Sequence, residues 1–366
     1  MQGQGIYMQK TAFLTGKYFI SSNSQNGFCG FFESVFSPHL LDKLYIIHGG
    51  SGTGKSSMMR KIKSELSGDV LKQEIYCSSD GESLDGVLFH KNGRTVGIVD
   101  GTPPHARISI LPGLRDEEWN FAHYLEKEGL KKEEADILRL QGQKKEAYRC
   151  AYASLSPMGA CHQEALKRYG QRFLFEKATA SVKRILKKYS HTASADYETH
   201  FRFIRAFSMR GEFLLKNWWP EGSTFITVAG NEYSAELYLC ALRSQAIAYQ
   251  LPFVALLSPL SEENLDGIYF PSLSAIFIKE AYAPPLSPLQ SINTLRFLEK
   301  TKGEEKARMR RLTQIEAALK ESAVSSLLEA GKLHFTLEQL HAKNMNFTLL
   351  AKEAEEKRDE ILSLLS

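Results

Sequence analysis

The sequence lacks cysteines in any spacing that a zinc site or a redox motif needs. Its five, Cys29, Cys77, Cys150, Cys161 and Cys240, are odd in number, scattered and never arranged as C-x-x-C. That argues against a disulfide framework and for a reducing compartment, the cytoplasm. Long apolar runs are missing too, since none approaches the roughly 20 residues of a membrane span. The first residues carry no basic segment leading into an apolar one, so no signal peptide is expected. Charge of one sign is scarce: 46 basic and 42 acidic side chains leave +4, too little to call for nucleic acid or an anionic bilayer as partner. Neither an H-E-x-x-H helix nor a G-x-S-x-G elbow occurs, which removes the usual signatures of zinc peptidases and serine hydrolases.

What is present is a chain of 366 residues, 43% apolar and 24% charged, able to bury a core and long enough for two domains. An apolar run, L-Y-I-I-H (44–48), ends abruptly in G-G-S-G-T-G-K-S-S (49–57). Residues 49–56 fit G-x-x-x-x-G-K-[ST], the Walker A pattern. A helix should follow, because Met58, Ile62 and Leu66 fall on one helical face. The residue types suit phosphate. Gly49, Gly50, Gly52 and Gly54 let the backbone of Ser51, Thr53 and their neighbours curl with N–H groups inward. The helix N-terminus at Ser57 adds positive field. Lys55 is then expected on the β- and γ-phosphates of a nucleoside triphosphate, and the Ser56 hydroxyl on Mg2+.

The second acidic element of such a site should close a buried strand. T-V-G-I-V-D (95–100) ends in Asp100, expected as a magnesium partner, with a turn cap beside Gly101 as the plainer alternative. Asp80 lies just past the apolar run ending at Cys77. It is a candidate to orient the attacking water, or else the start of an Asx turn with Gly81.

Shifted by 181 positions, the sequence overlays on itself without gaps. Gly49 meets Gly230, Leu84-Asp85-Gly86 meets Leu265-Asp266-Gly267, Phe89 meets Phe270, and Pro103-Pro104 meets Pro284-Pro285. A single offset held over about 55 positions argues for tandem duplication. A second overlay, at 172, sets His162 on His334 and Phe175 on Phe347, so the helical tails repeat as well. The expected architecture is α/β: a P-loop NTPase-type three-layer parallel sheet, duplicated, each unit followed by helices. The units are 1–190 and 191–366, with the boundary near 189–194.

The overlay also sorts residues. Lys55 becomes Glu236, Ser56 becomes Leu237, Gly52 and Gly54 become Tyr233 and Ala235, and Asp100 becomes Ala281. A carboxylate in the lysine's place repels a triphosphate, so the second site is expected to be silent. Asp80, Thr102 and His105 are lost together with Lys55, whereas Asp85 persists as Asp266 and reads as structural.

G-G-S-G-T-G-K-S, C-S-S-D-G-E-S-L-D-G-V (77–87) and D-G-T-P-P-H (100–105), with Arg205, Phe207 and Gly211 before the second unit, resemble a group of duplicated bacterial P-loop ATPases or ATP-binding proteins of about this length. The resemblance spans most of the chain and implies ATP as the nucleotide. Members of that group often keep an intact second P-loop, where this sequence reads G-N-E-Y-S-A-E-L (230–237).

Elsewhere, helices are expected across 117–127 and 133–152, and Trp218-Trp219-Pro220 reads as a packing wedge. The mixed-sign run 296–311 reads as a solvated helix face rather than a nucleic-acid contact. Cys161-His162 reads as a core or surface pair rather than a nucleophile and base. Arg60, Arg107 and Arg115 are the candidates for an arginine finger. The expected function is an ATPase with one live site. The alternatives are a nucleotide or small-molecule kinase and a nucleotide-gated scaffold without turnover.

Overall fold

The computed structural model describes residues 15–66, 68–104, 107–187, 199–301 and 303–366. His105 and the expected boundary at 189–194 lie outside them. The first half contains β1 (Gly16–Phe19), β2 (Ser21–Ser24), β3 (Gly27–Gly30), α1 (Phe32–Val35), β4 (Lys43–His48), α2 (Lys55–Glu65), β5 (Leu71–Tyr76), β6 (Leu84–Lys91), β7 (Arg94–Asp100) and β8 (Asp116–Asn120). Helices α3 (Lys127–Lys132), α4 (Glu134–Gly170) and α5 (Phe175–Leu186) follow. The second half contains β9 (Thr199–Phe203), β10 (Arg205–Ser208), β11 (Gly211–Leu214), β12 (Thr224–Ala229), α6 (Glu232–Ala248), β13 (Phe253–Ser258), β14 (Ser261–Phe270), β15 (Ala275–Lys279) and β16 (Gln290–Asn293), then α7 (Glu304–Ala342) and α8 (Phe347–Leu365).

One 12-stranded sheet runs β16-β12-β15-β14-β13-β9-β1-β5-β6-β7-β4-β8. Outward from the β9–β1 seam, the two sides have the same order and the same strand senses. The seam is a single antiparallel pair, Phe19 with Phe203, at the carboxyl ends of β1 and β9. The sheet is mixed, which corrects the expectation of a parallel one. β6 runs against β5 and β7, and β14 against β13 and β15. The cause is local. Asn92-Gly93, with φ of 51° and 74°, forms a tight reversal that only an antiparallel hairpin can use. The remaining strands of each side are parallel, and β7 lies beside β4 as a parallel neighbour, so Asp100 pairs with Ile47 just before the glycine-rich loop.

Residues 117–127 also differ from expectation. Instead of a helix they form the edge strand β8 and a 3-10 turn, Phe121–Tyr124. Trp119 and Phe121 alternate inward there, 4% and 0% exposed, the period of a strand.

The helical tails cross over. Leu350, Ala354, Ile361 and Leu365 of α8 pack with Met58, Met59 and Ile62 of α2 in one apolar cluster. Ala178, Val182 and Leu186 of α5 pack instead with Tyr238, Leu242 and Ala246 of α6. Between them α4 and α7 lie antiparallel, joined at Ser154–Ser322 (3.0 Å), His162–Glu316 (3.0 Å) and Arg168–Glu305 (3.3 Å). Each tail thus covers the helix that follows the glycine-rich or equivalent loop of the opposite half. Among the described residues, no helix is long and apolar enough to cross a membrane.

Candidate functional site

β4 is buried from Leu44 to Ile47, and its apolar run stops where the glycines begin. Gly52 and Gly54 take φ of +80° and +88°, a region costly for other residues, and α2 starts at Lys55 with Gly54 as its left-handed N-cap. Met58, Ile62 and Leu66 are buried at 5%, 1% and 0% exposure, as their spacing predicts. The strand–loop–helix unit expected around 49–57 is therefore formed.

Lys55 Nζ donates to the carbonyls of Gly49 (2.6 Å) and Gly50 (2.9 Å) and lies 3.5 Å from Asp100 Oδ2. Thr102 ties the two strands together: its N donates to Asp100 Oδ1 (2.8 Å) and its hydroxyl to Gly49 O (2.9 Å). Thr53 is fully buried and donates to Gly50 O (2.8 Å). Ser56 Oγ accepts from Leu84 N (2.8 Å). Ser51, Gly52, Gly54, Lys55, Ser56, Ser57, Asp80 and Asp100 all line one cavity of about 1240 Å³.

Asp80 is held rather than idle. Ser83 N donates to Oδ2 (2.8 Å), with the Ser83 hydroxyl on the same oxygen, and Arg210 Nε donates to Oδ1 (2.8 Å). The carboxylate accepts from Ser83, three residues on, while Gly81 N donates to Cys77 O. The contact is therefore not the expected Asx turn with Gly81, and the carboxylate is paired across the two halves. Of the arginines expected near the phosphates, Arg107 and Arg115 are structural, since they hold the carbonyls of Phe32, Phe36, Pro38 and Leu41. Arg60 lines the cavity.

Several site residues were not foreseen. Asp85 lies at a bulge where Gly86 pairs with Ile75 but Leu84 pairs with Tyr76, and it lines the cavity. Asp266 occupies the same bulge in β14, so the shared L-D-G signal was legible but its direction was not. A Cβ on Gly86 or Gly267 would meet a neighbouring strand's carbonyl, at 2.9 Å from Ile98 and 2.5 Å from Phe277, which accounts for the glycine in both. Arg210, Lys144 and Tyr148 also face the cavity, as do His334 and Glu338 from α7. Burial lowers the pKa of Lys144, and His341 nearby is lowered chiefly by burial. The α7 backbone rests on the loop: a Cβ at Gly52 would collide with the Glu338 carbonyl.

At the equivalent place in the second half, strand register corrects the pairings that lie past the hairpin, those of Asp100, Thr102 and Pro103-Pro104 among them. Asp100 pairs with Ile47, and Lys279 pairs with Val228. The β14–β15 hairpin is two residues shorter than β6–β7, since Gly86 pairs with Val99 but Gly267 with Ile278. Asp100 therefore corresponds to Lys279, not Ala281. Glu236, in the place of Lys55, is 1% exposed. Lys279 (3.1 Å) and His162 (3.2 Å) hold it, and Asn264 donates to it. Burial opposes charge on Glu236, but Lys279 and His162 outweigh it and lower its pKa to about 2. Burial likewise opposes the His162 imidazolium, yet Glu236 and Glu316 raise it to about 9. The Cys161 thiol is raised by burial and by the nearby Glu316 carboxylate, the opposite of what a thiolate nucleophile needs.

Comparison with protein-family models, with curated proteins and with solved structures finds no match for this chain.

Proposed function

We propose that the first-half cavity binds a nucleoside triphosphate with magnesium, ATP in the leading reading, and hydrolyses it, while the second half is a duplicated pseudo-site. One observation carries this. The lysine and serine of a Walker A loop share a single cavity with the carboxylate that closes the adjacent parallel strand. Resemblance to duplicated bacterial P-loop ATPases supports the same reading, and the free thiols suit a cytoplasmic setting.

Magnesium fits the residues at hand. Mg2+ is commonly held by one or two carboxylates, with waters and phosphate oxygens completing its shell. The Ser56 hydroxyl with Asp100 and Asp85 offers that donor set around the cavity. The absence of any cluster of three or more His, Cys, Asp or Glu among the described residues is compatible with it. In the second half the Lys279 ammonium sits 3.1 Å from Glu236 and 3.6 Å from Asp266, a built-in cation where the first half has Asp100. Held there, the ion would neutralise charge on the triphosphate. Lys55 would exchange its loop carbonyls for the β- and γ-phosphate oxygens, and the inward loop amides would hold the β-phosphate. Thr102 keeps Asp100 and the loop in register.

A kinase reading keeps one argument in its favour. The cavity, about 1240 Å³, exceeds the roughly 300–1,000 Å³ typical of a single small-molecule site, leaving room for an acceptor beside Tyr148 and Lys144. A nucleotide-gated scaffold is the third reading. Product analysis with Mg–ATP separates them: free phosphate for an ATPase, a phosphorylated acceptor for a kinase, intact ATP for a scaffold. Phosphate release lost in Lys55→Ala is the expected result. Release at an unchanged rate in that variant would remove the site assignment.

A further inference from the structure

The two short hairpins are exchanged between halves. In β2–β3 the closing pair is Ser24 with Gly27, and in β10–β11 it is Ser208 with Gly211. Each serine hydroxyl donates to the glycine carbonyl (2.8 and 2.9 Å) and accepts the tip amide, that of Asn26 or Arg210 (3.1 Å in both). Gln25 N then reaches across to Leu260 O (3.0 Å), and Met209 N to Ser79 O (2.6 Å). The tips are thus equivalent, each bonded to the backbone of the opposite half, and Met209 and Arg210 of the second tip line the first-half cavity. The one that enters the Walker A cavity ends in Arg210; its counterpart ends in Asn26.

This difference follows the charge pattern of the two cavities. Lys55 corresponds to Glu236, and Lys144, by the tail offset, to Glu316. Arg60 and Lys145, which also line the first cavity, correspond to Ala241 and Ala317, so Arg210 is the fifth cation lining it whose counterpart is not cationic. Its backbone is fixed by the Ser208 hydroxyl. Its guanidinium lies over the Phe335 ring of α7 at 4.8 Å and is held by Asp80 (2.8 Å) and Glu82 (3.3 Å). The side chain is 37% exposed, so it is restrained without being sealed in. Arg107 and Arg115, by contrast, are committed to backbone carbonyls.

We propose that Arg210, donated by the second half, is the arginine that contacts the terminal phosphate during hydrolysis, so that the pseudo-site half completes the live site. This rests on the nucleotide reading above. In the step, the water oxygen bonds to the γ-phosphorus while the bond from phosphorus to the bridging oxygen breaks. The electron pair leaves on the diphosphate, and the water proton passes to a phosphate oxygen or to solvent. Arg210 keeps its protons throughout. Two planar N–H donors match the oxygens on which charge collects, and Asp80 and Glu82 hold the guanidinium at the wall until the anion arrives.

The test uses full-length wild type, Arg210→Ala and Arg210→Lys. ATP affinity is measured by calorimetry, hydrolysis by single turnover, and binding of ADP with aluminium fluoride serves as a mimic of the transferring phosphoryl group. Arg210→Ala should bind ATP within about three-fold of wild type yet lose about 10³-fold in turnover and fail to retain the fluoride complex. Arg210→Lys should recover only part of both. A merely structural arginine would shift thermal stability and ATP affinity together and leave the fluoride complex intact. Arg210→Ala turning over at the wild-type rate overturns the proposal alone, whereas wild type that binds no ATP overturns the nucleotide reading and the proposal with it.

Discussion

Lys55 and Asp100 face each other at 3.5 Å, and Glu236 and Lys279 face each other at 3.1 Å with the charges exchanged. The two pairs differ in what surrounds them. Lys55 keeps contacts that a phosphate can replace, two carbonyls and one carboxylate. Glu236 is enclosed by Lys279, His162 and Asn264 and needs no ligand. Removing one partner of a buried network leaves the others uncompensated. Glu236→Ala should therefore destabilise the fold by about 3–5 kcal/mol while leaving ATP affinity at the first site unchanged. The same network sets a pH dependence. His162 is raised from 6.5 to about 9 in the folded chain, so its contribution is complete below pH 6.5 and is lost as pH rises through about 9. The thermal midpoint should fall across that window in wild type and fall less in His162→Gln; equal slopes would remove His162 from the account. The sequence revealed the lysine and its replacement, because a Walker A spacing is local. It concealed Lys279, because a hairpin shortened by two residues shifts register in a way that an ungapped overlay cannot follow.

The strand, loop and helix around residues 49–57 were legible because their signals are contiguous: an apolar run, glycines, then helical spacing. β8 was not, since D-E-E-W-N carries helix-compatible charges and only Trp119 and the following Phe121 betray a period of two. The sense of β6 was likewise hidden in the turn at Asn92-Gly93. Least visible was the crossing of the tails, because an amphipathic helix reports that it has a buried face but not what lies against it. α8 closes over α2 through Leu350, 5% exposed, in the cluster with Met58, Met59 and Ile62. Leu350→Ala should cost about 2–5 kcal/mol and weaken ATP binding, because α2 carries Lys55 and Ser56. Denaturant midpoints and calorimetry on the same sample check both. A loss no larger than at an exposed leucine such as Leu362, 40% exposed, would argue against the crossed packing.

Across the whole molecule, the second half supplies α7, α8 and the β10–β11 tip to the first cavity, while the first half supplies α4 to the second cavity, packs α5 on α6 and bonds its β2–β3 tip to Leu260. Two like-ordered halves with crossed tails give a chain whose halves cannot be separated without exposing apolar surface on both. On the proposed reading, this arrangement would also give the second half a reason to persist, since it walls and charges the first cavity. The proposed function requires that one cavity, and not two, binds the nucleotide. Calorimetric titration of the full-length chain with Mg–ATP tests it most directly. One site per chain, absent in Lys55→Ala, is the expected result. Two sites per chain, or one that survives Lys55→Ala, would contradict it.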